Sequence, residues 1–243
     1  AYINNATFMY MGNRSTVNAG GIRIVGNGTI LNSNFTGNRQ GVLSSTSTDN
    51  LYIDNTFFFN HSNIAVYLGG QLRGSSTINI TNNNILNSSS SELYIQDSTS
   101  NIIIYNNTIH ARGIRGIWID NASNINISNN FMVGATNLGS YCISIDGDNA
   151  GTFNNLAENI TLMFNNCTKS QYGFSTFSLT KNVTFIKNSL TFNDDWQVQG
   201  NLHTIANNTI YNTSANYDGY NVGLKLFNAT NTFVGENNFS RIP

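Results

Sequence analysis

The chain has 243 residues, of which only 9 % are charged, and its 11 Lys and Arg against 12 Asp and Glu give a formal net charge of −1. This balance excludes a nucleic-acid-binding surface, because a basic patch is needed to neutralise phosphates. No apolar run reaches the roughly 18 residues of a membrane span. The 40 % of hydrophobic residues suffices for a sizeable core.

One short motif recurs ten times from the first residues to the last. It consists of two apolar residues five positions apart with an Asn between them, and Asn makes up 45 of the residues. The copies are Ile3-Asn5-Phe8, Val25-Asn27-Ile30, Ile53-Asn55-Phe58, Ile80-Asn82-Ile85, Ile104-Asn106-Ile109, Ile127-Asn129-Met132, Leu162-Asn165-Cys167, Phe185-Asn188-Leu190, Ile205-Asn207-Ile210 and Val234-Asn237-Phe239. The Asn shifts by one position in three copies, whereas the apolar spacing is constant.

The residues around each copy alternate with the period of a β-strand. Apolar residues occupy every second position in runs such as Ile102-Ile104, and a second alternating run such as Ile117-Ile119 precedes most copies. A repeat of about 25 residues has no room for a crossover helix, so we predict rungs that stack with parallel strands roughly 4.8 Å apart. The predicted fold class is an all-β parallel β-helix, a solenoid of about ten rungs. Residues 1–243 form a single domain in this interpretation, with a longer insertion around 133–158.

The repeated Asn is expected to lie at a bend between strands, where its amide can hydrogen-bond the Asn of the next rung. Such a ladder would satisfy backbone groups that the bend leaves unpaired. The predicted ladder comprises Asn5, Asn27, Asn55, Asn82, Asn106, Asn129, Asn165, Asn188, Asn207 and Asn237.

The segment from Gly116 to Phe131, with Ile117-Trp118-Ile119 and Ile125-Asn126-Ile127, resembles one repeat of the right-handed parallel β-helix superfamily. This is the pectate-lyase-like group, which includes carbohydrate-binding and sugar-hydrolase repeats. The resemblance covers nearly the whole chain and implies a right-handed coil. It carries little information about activity, because this fold hosts many functions.

Members of that superfamily that cleave acidic polysaccharides use clustered aspartates, with Ca²⁺ or as acid and base, together with a basic residue. Asn193-Asp194-Asp195 is similar to the paired aspartates of the polygalacturonase branch, but the Gly-His-Gly and Arg-Ile-Lys segments of that branch do not occur here. Asp146-Gly147-Asp148-Asn149 offers hard oxygen ligands for Ca²⁺, with a polar loop as the preferred interpretation.

A basic group, His110 with Arg112 and Arg115, is followed by Asp120, but no ladder of aspartates accompanies it. We therefore predict no catalytic residue, no metal site and no cofactor, and we favour a protein that is not an enzyme.

Outward and inward positions follow from the alternation. Trp118 is expected to point outward, and Trp118 and Trp196 are candidates for stacking on sugars, with ordinary packing as the alternative. His61 and His203 are expected at the surface. Cys142 should face outward and Cys167 inward, so the sequence leaves a disulfide between them open.

Seventeen Asn-x-Ser/Thr sequons occur, more than composition explains. Four of them (Asn5, Asn27, Asn106 and Asn207) fall at ladder positions and are expected to point inward. The remaining candidates for N-glycosylation are Asn13, Asn34, Asn60, Asn79, Asn87, Asn121, Asn126, Asn159, Asn166, Asn182, Asn212, Asn228 and Asn238. N-linked glycans imply a secreted or cell-surface protein.

The first and last copies of the motif lie at the ends of the sequence. Ile3, Phe8, Val234 and Phe239 would then form apolar surfaces that pair with another copy head to tail. The favoured hypothesis is an extracellular structural glycoprotein that stacks into a homopolymeric filament, with itself and its N-linked glycans as partners. The alternative is a β-helix that binds or cleaves polysaccharides.

Overall fold

The computed structural model describes residues 1–11, 20–44, 48–69, 76–98, 100–135, 139–147, 156–192, 196–212 and 223–241. These residues form 29 strands and no helix. Paired strands run parallel, one rung apart. The predicted fold class, an all-β parallel β-helix, is confirmed.

Three sheets form the faces of the rod. The first contains β1 (Tyr2–Asn4), β4 (Gly28–Leu31), β7 (Asn50–Asp54), β10 (Thr77–Thr81), β13 (Asn101–Tyr105), β16 (Ser123–Ser128), β19 (Ala157–Met163), β22 (Thr180–Ile186), β24 (Trp196–Asn201) and β27 (Leu224–Thr230), with β25 (Thr204–Ala206) and β28 (Phe233–Gly235) beside them.

The second sheet has ten strands, one for each copy of the motif. They are β2 (Thr7–Met9), β5 (Asn34–Thr36), β8 (Phe57–Phe59), β11 (Asn84–Leu86), β14 (Thr108–His110), β17 (Phe131–Val133), β20 (Asn166–Ser170), β23 (Ser189–Phe192), β26 (Thr209–Asn212) and β29 (Asn238–Arg241).

The third sheet has seven strands, β3 (Ile22–Ile24), β6 (Gln40–Ser44), β9 (Ile64–Leu68), β12 (Ser91–Gln96), β15 (Arg115–Asp120), β18 (Tyr141–Asp146) and β21 (Phe174–Thr176). The insertion predicted around 133–158 contains β18, and residues 136–138 and 148–155 of it lie outside the described ranges.

The core consists of apolar columns that run along the rod. Ile53, Ile80 and Ile104 lie in register on neighbouring rungs and are fully buried. At one end Phe8, Phe35 and Phe58 stack with ring centroids 4.9 and 5.0 Å apart. Register is strongly specified here, because a one-residue slip would turn every apolar side chain outward.

The second copy of the motif is corrected by this register. Ile30, not Val25, pairs with Ile3 and Ile53, so the copy reads Ile30-Asn32-Phe35. Val25 is 62 % exposed. Asn27 therefore belongs to a different corner, where its Oδ1 accepts a hydrogen bond from the Nδ2 of Asn50.

A continuous chain of buried side-chain amides runs along the corner between the first and second sheets. The Nδ2 of each Asn donates to the Oδ1 of the Asn in the next rung over 2.9–3.1 Å. That Oδ1 also accepts the backbone N–H of the same donor Asn. The chain comprises Asn83, Asn107, Asn130, Asn165, Asn188, Asn208 and Asn237. Thr56 and Ser33 continue it with hydroxyls.

The predicted ladder falls partly in this buried chain and partly in an outer row beside it, where the Nδ2 of Asn106 donates to the Oδ1 of Asn82 over 2.8 Å as predicted. Asn165, Asn188 and Asn237 lie in the buried chain. The other members, apart from Asn27, occupy the residue before it, which adopts positive φ and points outward: Asn5, Asn55, Asn82, Asn106, Asn129 and Asn207. Asn fits this corner because its short polar side chain tolerates the left-handed conformation.

The two cysteines form a disulfide inside the rod. Cys142 and Cys167 are both buried and bonded to each other. The expectation that Cys142 faces outward is wrong, because the residues from Cys142 to Ile145 are all buried at the start of β18 and the outward alternation does not hold there.

The two adjacent Asn of one rung should respond differently to the same substitution. Asn130→Gly removes an acceptor of two hydrogen bonds from Asn107 and orphans buried backbone groups, so it should lower the free energy of unfolding by about 3 kcal/mol or more. Asn129 has a positive φ, which Gly adopts without steric cost. Asn129→Gly should therefore change the free energy of unfolding by less than about 1 kcal/mol. Urea unfolding of both variants checks this; equal losses would contradict the assigned ladder register.

Reduction of the disulfide should destabilise the protein. The bond closes a loop of 25 residues in sequence separation, for which the chain-entropy model gives about 3 kcal/mol. Thermal unfolding with and without reductant should therefore differ for the wild type. The Cys142→Ala/Cys167→Ala variant is the control, because reductant should leave its melting temperature unchanged; a shift in the variant equal to that of the wild type would refute the assignment.

Candidate functional site

Three aromatic side chains lie in register on the outer face of the third sheet. Tyr67 of β9, Tyr94 of β12 and Trp118 of β15 occupy neighbouring rungs. Their rings stack, with centroids 5.2 Å apart between the tyrosines and 4.1 Å apart between Tyr94 and Trp118. All three are partly exposed. We call this row the aromatic strip.

A row of acceptors runs beside the strip. Gln96, Asp120 and Asp146 lie two residues further along their strands, also in register. Each ring donates diagonally to the next rung, so this row is called the acceptor row. The Tyr67 hydroxyl donates to Gln96 Oε1 (2.6 Å), the Tyr94 hydroxyl to Asp120 Oδ2 (2.8 Å), and Trp118 Nε1 to Asp146 Oδ2 (2.7 Å).

Arg115 brings a positive charge to the strip. Its guanidinium carbon lies 4.2 Å from the centroid of the Trp118 ring, a cation–π contact. Its Nε donates to Ser144 Oγ over 3.2 Å, and that hydroxyl donates to Asp146 Oδ2 over 3.1 Å. Because Ser144 lies one rung beyond Trp118 and Tyr94 one rung before it, the indole is held between Tyr94 and Arg115.

The tyrosine hydroxyls of the strip are held in their protonated form. Burial raises the pKa of Tyr67, and the negative charges of Asp97 and Asp120 raise it further. Burial also raises the pKa of Tyr94, with Asp120 as the next cause. Both hydroxyls therefore remain donors to the acceptor row under ordinary conditions.

The structure brings four of the sequence candidates together. Trp118, Arg115, Asp120 and Asp146 share this face, and Trp118 points outward as expected. His110 does not join them, because it lies on the second sheet against Phe131.

Other candidates lie elsewhere. Trp196 is fully buried beside Phe185, so this candidate for stacking on sugars packs in the core instead. Asp148, Asn149 and residues 193–195 lie outside the described ranges. Within the described ranges, no three His, Cys, Asp or Glu side chains come close enough to hold a metal ion.

Sequence reasoning missed Tyr67, Tyr94 and Gln96. Tyr94 stands between the inward Leu93 and Ile95 as Trp118 stands between Ile117 and Ile119, so aligning the repeats on their inward residues would have found the strip.

Exposure of the sequons differs from expectation in two ways. Asn5, Asn27, Asn106 and Asn207, expected to point inward, are exposed. At Asn106 and Asn207 this is because the next residue, Asn107 or Asn208, carries the buried amide. Asn121 is buried, which leaves little access for a glycan. The side chain of Asn212 and all of Asn13 fall outside the description. Those partly or fully exposed are Asn34, Asn60, Asn79, Asn87, Asn126, Asn159, Asn166, Asn182, Asn228 and Asn238.

Both isolated histidines are buried, so their expected surface location is wrong. Burial lowers the pKa of His61 to about 4 and also lowers that of His203. Nδ1 of His203 accepts the backbone N–H of Val183, while Nε2 lies 2.8 Å from the carbonyl oxygen of Gln199, an arrangement that suits a neutral ring.

A buried carboxyl opposes the histidines. Glu92 accepts hydrogen bonds from the backbone N–H and the hydroxyl of Ser88, and burial raises its pKa to about 7. On acidification from pH 7 to 4.5 the folded state gains stability through Glu92, because the raised pKa favours folding below it. The folded state loses stability through His61 from pH 6.5 downward, because only the unfolded chain takes up the proton.

Because these effects oppose each other, the stability of the wild type should depend only weakly on pH, and that of Glu92→Gln more steeply. The amide keeps the contacts to Ser88 but removes the gain on acidification, worth at most about 3 kcal/mol. The melting temperature of Glu92→Gln should therefore fall more between pH 7 and 4.5 than that of the wild type. An equal change of melting temperature with pH in the two proteins would contradict the raised pKa of the buried Glu92 carboxyl. Glu158→Gln is the control, because Glu158 is partly exposed.

Comparison with solved structures finds the same fold in two polysaccharide-related proteins. A double mutant of the periplasmic alginate epimerase AlgG matches with a TM-score of 0.72 and 10 % identity, over 97 % of this chain and 61 % of that chain. A mutant tailspike protein of E. coli bacteriophage HK620, in complex with a hexasaccharide, matches with a TM-score of 0.55 and 12 % identity, over 94 % of this chain and 52 % of that chain. This chain thus spans about half to three fifths of the length of these structures.

No curated protein sequence matches the chain. None of the described segments is a helix long and apolar enough to cross a membrane. The family model described as "Right handed beta helix region" matches residues 1–143, more than half of the sequence. The chain therefore belongs to the right-handed β-helix family.

Proposed function

We propose that the outer face of the third sheet binds a polysaccharide and that the protein is a polysaccharide-binding β-helix, which was the alternative hypothesis from the sequence. The observation that carries this is the register of the aromatic strip, on β9, β12 and β15, with the acceptor row, on β12, β15 and β18. Each row extends over about 10 Å along the rod at the spacing of parallel strands. A glycan chain lying along the rod would meet an aromatic ring beside an acceptor on both β12 and β15.

The rings can contact a sugar through their edges. Because Tyr67, Tyr94 and Trp118 cover one another's faces, each ring presents an edge to solvent. Ring edges carry partial positive charge and suit sugar oxygens, while Gln96 and Asp146, the partly exposed members of the acceptor row, suit sugar hydroxyl donors. Asp120 between them is buried. The strip and the row together can thus contact both the oxygen and the hydrogen of a sugar hydroxyl group.

The structural comparisons support a glycan ligand over a filament. One of the matched structures is an alginate epimerase and the other holds a hexasaccharide. At their low identity they show the fold, so the ligand of this chain rests on its own residues. The head-to-tail homopolymer gains no support from these proteins. Ile3 and Phe8 are partly buried and Val234 and Phe239 exposed, and their role as a polymer interface remains a prediction.

A location outside the cytoplasm belongs to the same proposal. The buried disulfide favours an oxidising compartment. The exposed sequons would there be available for N-linked glycans. The matched epimerase is periplasmic, and the tailspike belongs to a phage, which agrees with this location.

Trp118→Ala tests the binding face. Isothermal titration against a panel of soluble polysaccharides (a mixed-linkage glucan, xylan, dextran, alginate, polygalacturonate and chitosan) should find a ligand for the wild type. Truncation should weaken its binding at least tenfold, the equivalent of about 1.4 kcal/mol, because the strip loses its indole ring, on which Tyr94 and Arg115 both rest.

The matched control is Tyr52→Ala. Tyr52 is 39 % exposed on the outer face of the first sheet, so its loss removes an aromatic side chain from another side of the rod. It should leave affinity unchanged. Equal weakening in both variants, or no ligand in the panel, would overturn the proposal, and far-ultraviolet circular dichroism verifies that each variant is folded.

A further inference from the structure

We infer that the polysaccharide bound at the aromatic strip is recognised through its hydroxyl groups and that polyuronates are excluded. This inference rests on the proposed function and adds the chemical class of the ligand. It is independent of the matched structures, one of which is an alginate epimerase and would suggest an anionic polymer.

The first argument is the charge beside the rings. Asp120 and Asp146 lie opposite each other on neighbouring rungs of the acceptor row, and Asp97 is close enough to act electrostatically on both tyrosines. A uronate in each sugar would approach this row with like charge. With the positive charge of Arg115 counted, the three carboxylates still leave this face net negative, so a polyuronate would be repelled.

The second argument is the state of the donors. The Tyr67 and Tyr94 hydroxyls and the Trp118 indole N–H all donate to the acceptor row. Binding a uronate carboxylate at these donors would break those bonds and leave Asp120 or Asp146 facing the incoming charge. A neutral sugar needs no such exchange, because its hydroxyls donate to the carboxylates and the existing bonds stay in place.

Charge removal at the acceptor row tests the inference. Titrations at low ionic strength compare a neutral glucan or xylan with alginate and polygalacturonate, using the wild type and Asp120→Asn/Asp146→Asn. Both amides can still accept from the rings. We expect the wild type to bind a neutral polymer at least tenfold more tightly than either polyuronate. The double variant should bind a polyuronate at least tenfold more tightly than the wild type does.

The control is Asp54→Asn/Glu158→Gln, which removes the same net charge from the first sheet, away from the strip. It should leave the discrimination intact; an equal gain in polyuronate binding would assign the effect to net charge and overturn the inference.

Failure of the inference is distinguishable from failure of the proposed function. If a polyuronate binds the wild type more tightly than any neutral polymer, and Trp118→Ala abolishes that binding, the face binds glycans but the ligand class is wrong. If no polymer binds, or if Trp118→Ala leaves binding unchanged, the proposed binding face is wrong and the inference is wrong as well.

Discussion

The buried amide chain at one corner is the constraint on which the remaining structure depends. A coil of short strands must turn sharply in every rung, and each turn leaves backbone groups without a strand partner. In this protein the Oδ1 of one Asn accepts the preceding rung's backbone N–H, and its Nδ2 donates to a backbone carbonyl such as that of Ile104. Because these hydrogen bonds pair the backbone groups of the corner, the apolar columns and the outer faces can stay in register from rung to rung.

The outer face of the third sheet shows what such register makes available. A side chain in one rung is repeated about 4.8 Å further on, so interactions that are weak singly occur in rows. Tyr94 and Trp118 stack because β12 and β15 hold them in register, and the diagonal bonds to Asp120 and Asp146 follow from the same alignment. The order along the rod, rather than any single residue, is what fits a polymeric ligand.

The fold could be predicted from the sequence because the apolar spacing is imposed by the core, but corner details could not. The apparent shift of the Asn in three copies disappears once the position three after the apolar residue is followed, as from Ile104 to Asn107 and from Leu162 to Asn165. Adjacent Asn pairs hide this, since the left-handed corner and the buried ladder favour the same residue type. Burial of Cys142, His61 and Trp196 depends on how rungs end, which alternation does not encode.

The amide chain also gives the rod an electrical direction. From Asn83 to Asn237 every carboxamide points its oxygen toward the N-terminal rungs, and as far as Asn208 each donates one N–H to the next rung, so their dipoles add instead of cancelling. Hydrogen bonds aligned in this way polarise one another. The two ends of the ladder thus differ in sign, with a partial negative charge at the first amide and a partial positive charge at the last.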